Sequence, residues 1–335
     1  WPADLASRKP GALAAAWIKH RRETKKEKFI QFIFYRQWEE LREAARRRKV
    51  AIIGDIPFFV SHDSADVWVH RRLFQVDETG KRTALSGVPP TDIDGTSQIW
   101  GNPLYNWEES ARDGFSWWRA RFRVIFQLVD IIRIDHFSGF YACWRIPPGA
   151  ETSAEGRWEK GPGRKLFEKI ESDLGQLPVI AEALEPLIFR QVQILLDELG
   201  FPGIRGLQFG FYGGENNPHM PADYPENCVA YTGTHDNDTS IGWFKGLDPG
   251  LQKKVMEYLG IDDPGRVNLG MIRAVFSSVA DTAIIPLQDL CGLGSSARMN
   301  IPGRAGGQWE WRYREETMPP GSWEWLKELT ARCAR

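Results

Sequence analysis

Three stretches of this chain carry an apolar, β-prone run into a carboxylate: Ile132-Arg133-Ile134-Asp135-His136-Phe137, Val179-Ile180-Ala181-Glu182 and Tyr231-Thr232-Gly233-Thr234-His235-Asp236-Asn237-Asp238. On a buried parallel strand such a run supplies core. The residue at its C-terminal end faces the mouth of the sheet, where α/β barrels keep their active sites. Three carboxylates brought to one rim suit cleavage of a glycosidic bond. One attacks the sugar, one donates and recovers a proton, and one steadies the ring as it approaches an oxocarbenium ion.

Each group also has a plainer reading. Asp135 follows Arg133 by two residues, so on a strand both side chains point the same way. A neighbouring guanidinium keeps a carboxylate ionised, as a nucleophile requires, but a structural Arg–Asp pair would look the same. Glu182 needs the opposite surroundings if it is a general acid. Val179 and Ile180 would supply apolar cover and Asp135 a nearby anion, whereas a helix cap or ion pair is the bland role. His235 and Asp236 could hold sugar hydroxyls, or ligate a metal; no further His or Cys stands at ligand spacing to favour the metal. Asp238, followed by Thr239, could simply cap a helix.

The elements that would hold these groups alternate along the chain. Phe29, Phe32, Ile33, Trp38 and Leu41 recur at helical spacing and predict a helix over about 11–48. Strands are expected at 50–53, 129–134, 178–181, 206–211, 228–233 and 282–287, with helices near 117–128, 164–174, 188–199 and 252–279. Polar residues stand at the strand ends: Asp55, Asp135, Glu182, Gln208, Asp236 and Gln288. That pattern favours the α/β class, a (β/α)8-type barrel. Two stretches, 58–115 and 138–162, have poor periodicity and read as inserted segments bordering the cleft. Residues 1–335 are thus expected to form one partial (β/α)8 catalytic domain. Six strands are two short of eight, and the chain begins at Trp1, so the first two strands are expected to be missing.

Composition narrows the class. The 335 residues include 43 basic and 44 acidic ones, a balance that lacks the footprint of a nucleic-acid binder. Four scattered cysteines (Cys143, Cys228, Cys291, Cys333) form no CxxC pair and suit reduced thiols in a cytoplasmic enzyme. No apolar stretch is long enough to span a membrane. Fifteen tryptophans are many for this length. Trp100, Trp107, Trp144, Trp158, Trp309 and Trp311 stand in apparent loops, where an indole can stack on a sugar face or anchor a loop base.

Further motifs join the carboxylates in order: Gly54-Asp55-Ile56-Pro57, His62-Asp63-Ser64-Ala65-Asp66-Val67-Trp68, Gln98-Ile99-Trp100-Gly101-Asn102-Pro103-Leu104-Tyr105, Ala297-Arg298-Met299-Asn300 and Pro302-Gly303. With these, the chain resembles the 4-α-glucanotransferases (amylomaltases, glycoside hydrolase family 77) over nearly its whole length. The resemblance implies a (β/α)8 barrel that moves α-1,4-glucan segments between maltooligosaccharides and glucose by a retaining double displacement, with no cofactor, metal, nucleic acid or membrane involved. It makes Asp135 the nucleophile, Glu182 the acid/base and Asp236 the transition-state stabiliser. It also places Asp55, Arg133, His235, Gln98, Trp100 and Asn300 against substrate. A hydrolytic α-glucanase and a non-catalytic glucan binder are the alternatives. The chain departs from the family pattern at Ser138, where a basic residue is usual, and at Ala183-Leu184-Glu185, where Asp-Leu-Gly is usual.

Overall fold

The structure is a computed structural model describing residues 2–90, 98–214, 217–304 and 306–335. Residues 91–97, inside the first inserted segment, lie outside the described residues, as does Trp1. The chain divides into two compact units, Trp1–Phe201 and Pro202–Arg335.

The first unit contains the strands β1 (Ile53–Ile56), β2 (Leu85–Val88), β3 (Gln98–Ile99), β4 (Ile131–Ile134), β5 (Ala142–Ile146), β6 (Arg157–Lys160) and β7 (Val179–Ala181). β1 and β7 flank β4, all parallel, with Asp55 opposite Arg133 and Arg133 opposite Ile180. The crossovers are helical, as parallel pairing demands. Helices Ser116–Phe126, Arg164–Leu174 and Phe189–Leu199 each bury an apolar stripe, for example Leu166, Phe167 and Ile170 on the second. β2, β3, β5 and β6 form a separate antiparallel sheet in the order β3-β2-β5-β6, which draws strands from both inserted segments. The expected first helix is two, Pro10–Lys19 and Arg21–Arg47, broken at His20.

The second unit contains β8 (Gly203–Gly206), β9 (Cys228–Tyr231) and β10 (Thr282–Ile284), parallel, with β9 in the centre. Here the expected boundaries shift. The apolar run at 207–211 is largely a helical turn, Leu207–Gly210, and the strand is the fully buried Gly203–Gly206 before it. Periodicity cannot separate a short buried strand from a buried helical turn, and Arg205 disguises the true strand. Likewise Gln288 sits in the turn Leu287–Leu290 rather than on a strand end. The expected helix over 252–279 is two, Pro249–Leu259 and Val267–Phe276, separated by the Asp262-Asp263-Pro264-Gly265 turn.

Candidate active site

In the first unit, strand register gathers the charged groups. Side chains alternate across a sheet with period two, and paired residues of parallel neighbours share a face. Asp55 and Arg133 are partners, and Ile180 is the partner of Arg133 on the other side. Two residues further along, Asp135 and Glu182 therefore emerge on the face that carries Arg133. Backbone bonds continue past the strand ends and fix both residues: the Asp135 amide donates to Ile56 and the Glu182 amide to Ile134, each at 3.0 Å.

Arg133 is buried, and its guanidinium serves all three acids. Nη1 donates to Asp55 Oδ2 at 2.5 Å and Asp135 Oδ1 at 3.2 Å, while Nη2 bonds Glu182 Oε1. A cation inside the fold must be paired, and three carboxylates pair it. Asp135 and Asp55 stay partly open to solvent; Glu182 is nearly covered. Beyond the apolar cover and nearby anion expected for Glu182, its carboxylate meets a cation and a backbone amide. Its second oxygen accepts the His136 amide at 2.9 Å.

His136 supplies that amide by an uncommon backbone turn. It takes a left-handed conformation, φ +47° and ψ +48°, which a residue with a Cβ adopts at a cost. The chain then folds into the buried turn Phe137–Phe140. Gly139 is required there, because a Cβ would lie 2.5 Å from the Phe58 ring. The His136 ring stacks on Phe59 and meets Phe58 and Trp100 edge-on. Burial in this aromatic setting lowers its pKa to about 4, so the ring is neutral at physiological pH. Trp100 is half-exposed and donates Nε1–H to Gln98 Oε1 at 2.9 Å. Thus Trp100 is set against the His136 ring, and Gln98 is bonded to Trp100.

In the second unit, Asp236 stands at the tip of the loop after β9, its side chain partly exposed. His235 Nε2 lies 3.3 Å from Oδ2, Asn300 Nδ2 donates to Oδ1 at 2.5 Å, and Arg298 Nη2 donates to the Asp236 carbonyl at 2.5 Å. Trp309, exposed and left-handed at φ +61°, sets its ring 5.1 Å from His235.

The profile of a family described as 4-alpha-glucanotransferase matches residues 1–317. The chain belongs to the 4-alpha-glucanotransferase family. The 4-alpha-glucanotransferase of Synechocystis sp. is 44% identical over 95% of this chain and 63% of its own length. That of Thermus thermophilus is 43% identical over 96% and 65%. The chain thus spans under two thirds of these curated relatives. Among solved structures, an amylomaltase from Streptococcus agalactiae in complex with acarbose superposes with a TM-score of 0.94 and 37% identity, covering all of this chain and 68% of that one. The α/β fold expected from the sequence is the fold of that amylomaltase.

Within this 4-alpha-glucanotransferase family chain, the other loop tryptophans divide. Trp107 packs partly buried against the Phe58–Tyr105 cluster, and Trp144 and Trp158 pack on each other at 5.1 Å, so these anchor structure. Ser138 and Ala183 are buried, and both therefore sit in packing rather than in solvent. Two contributors were not singled out as site residues beforehand: the amide of His136 and the guanidinium of Arg298. Both lie inside motifs visible in the sequence, but their parts depend on backbone geometry that residue types do not reveal.

Proposed function

We propose that the protein is a 4-α-glucanotransferase acting on α-1,4-glucans, with maltooligosaccharides as donors and glucose or shorter glucans as acceptors. In this reading Asp135 attacks C1 of the donor sugar while the bond from C1 to the leaving 4-oxygen breaks. Glu182 gives that oxygen its proton. A glycosyl ester on Asp135 results. The 4-hydroxyl of the acceptor then attacks C1, Glu182 takes the hydroxyl proton, and Asp135 departs as carboxylate. Asp236 stabilises the cationic transition states, Asp55, Arg133 and His235 bind the attacked glucose, and Gln98, Trp100 and Asn300 line the approach. No cofactor is called for.

The observation that carries the reading is the single guanidinium of Arg133 bonded to both Asp135 and Glu182. Two carboxylates on one fork favour the close spacing of a retaining enzyme, about 5–5.5 Å, over the wider inverting one. No helix among the described residues is long and apolar enough to cross a membrane, and we place the enzyme in the cytoplasm. The test is product analysis on maltotriose with the protein expressed at the full length of its gene. A ladder of longer oligomers with glucose supports transfer; glucose and maltose alone would indicate a hydrolase.

A further inference from the structure

The loop that carries His235 and Asp236 runs from Gly233 to Thr239, and one buried carboxylate holds both of its ends. Asp289 is 1% exposed. Its Oδ2 accepts the hydroxyl of Thr232, just before the loop, at 2.6 Å. Oδ2 also accepts the hydroxyl of Ser240, just after the loop, at 2.7 Å, and Oδ1 accepts the Ser240 amide at 2.7 Å. The Asp289 backbone is held in turn, its carbonyl accepting from Asn268 Nδ2 at 2.7 Å.

The neighbouring residue secures the other half of the Asp236 clamp. Gln288 Nε2 donates to the carbonyl of Ala297 at 3.1 Å. Arg298 and Asn300, which follow Ala297, donate to the carbonyl and carboxylate of Asp236. Inside the loop, Asn237 Oδ1 accepts from the amide and hydroxyl of Thr234, and the Asp236 amide donates to that hydroxyl. These local bonds set the shape of the loop but do not fix where it sits. Gln208 Nε2 and Ser295 Oγ hold Asp238 within the loop at 2.9 and 2.7 Å, and among the described residues Asp289 alone ties both ends to one point.

We propose that Asp289 is a positioning residue that sets the location of the Asp236 carboxylate by pinning Thr232 and Ser240; the proposal rests on the role given to Asp236 above. An acceptor-only carboxylate fits three converging donors, and no neutral side chain of the same shape does. Burial pushes the Asp289 carboxyl up, while its three donors act in the opposite sense. Loss of the charge releases both anchors together, and a displacement on the order of 1 Å at a reacting centre costs roughly 10²-fold in rate.

The experiment is a double-mutant cycle with maltotriosyl fluoride as donor and glucose as acceptor, because a good leaving group keeps slow variants measurable. Asp289→Asn is expected to lower kcat on the order of 10²-fold with KM changed less than about twofold. In an Asp236→Asn background the same substitution is expected to cost less than about twofold, since the group it positions is already disabled. Thr232→Val, which removes one donor and leaves the carboxylate, should show the same dependence on background with a smaller loss. Thermal melts report folding, so Thr232→Val decides the matter if Asp289→Asn does not fold. Equal factors in both backgrounds, or a loss that tracks only the folded fraction, would overturn the proposal. Absence of transfer by the unaltered enzyme would instead count against the proposed function.

Discussion

Arg133 Nη1 lies 2.5 Å from Oδ2 of Asp55, its register partner on the adjacent strand, and only 3.2 Å from Oδ1 of Asp135. One nitrogen thus links two carboxylates while the other serves Glu182. A lysine ammonium is a single point and cannot span this set. Arg133→Lys should therefore cut kcat by at least about 10²-fold with little change in the melting temperature, and steady-state kinetics with circular dichroism would check it. A small kinetic effect would mean the guanidinium only supports the strand end.

Asp135→Asn keeps the shape and a hydrogen-bond acceptor for Arg133 but removes the attacking charge. Transfer from maltotriose should fall by more than about 10³-fold with the fold intact. Retention of appreciable turnover would assign the nucleophile elsewhere.

Asn300 Nδ2 donates to Asp236 at 2.5 Å. Asn300→Ala removes one donor. Asn300→Asp sets a second carboxylate against the first, and like charges at that distance resist joint ionisation. The aspartate variant should be the slower of the two, and should recover activity toward lower pH relative to the alanine variant. Equal rates and identical pH profiles would show that Asn300 does not act on Asp236.

Burial lowers the pKa of both His136 and His219 to about 4, against an ordinary value near 6.5. The unfolded chain binds more protons than the folded one between these values, so stability rises with pH across the window. The contribution is complete above about pH 6.5 and is lost as pH falls toward 4, at up to roughly 3 kcal/mol per histidine. His219 Nδ1 accepts the Gly206 amide at 3.2 Å, a bond that a glutamine oxygen can also accept. In His219→Gln, urea midpoints should fall less steeply between pH 6.5 and 4.5 than in the unaltered protein. Parallel curves would contradict the burial assignment.

Much of the first unit was legible because its strands are short, apolar and end in acids. The period-two argument that put Arg133 and Asp135 on one face is met by their 3.2 Å contact. The helix Arg164–Leu174 coincides with its expected bounds, since Leu166, Phe167 and Ile170 give a clean helical stripe. Legibility failed where local signals compete. A charged Arg205 concealed β8, and the short strands β5 and β6 mix Trp, Arg and Glu so that no alternation stands out. The surroundings of Glu182 also escaped sequence reasoning, because a backbone amide turned by a left-handed His136 leaves no trace in residue type. Asp289 was visible only as a residue after a strand; its three donors come from residues 49 to 57 positions away.

Transfer itself is tested most directly by following the acceptor. The full-length protein would be incubated with maltotriose and isotopically labelled glucose, and the products separated by mass. The account predicts label at the reducing end of maltose and longer oligomers, all linked α, as retention at C1 requires, and 1,4, because the acceptor's 4-hydroxyl attacks. Label confined to free glucose while maltotriose shortens to maltose and unlabelled glucose would contradict it.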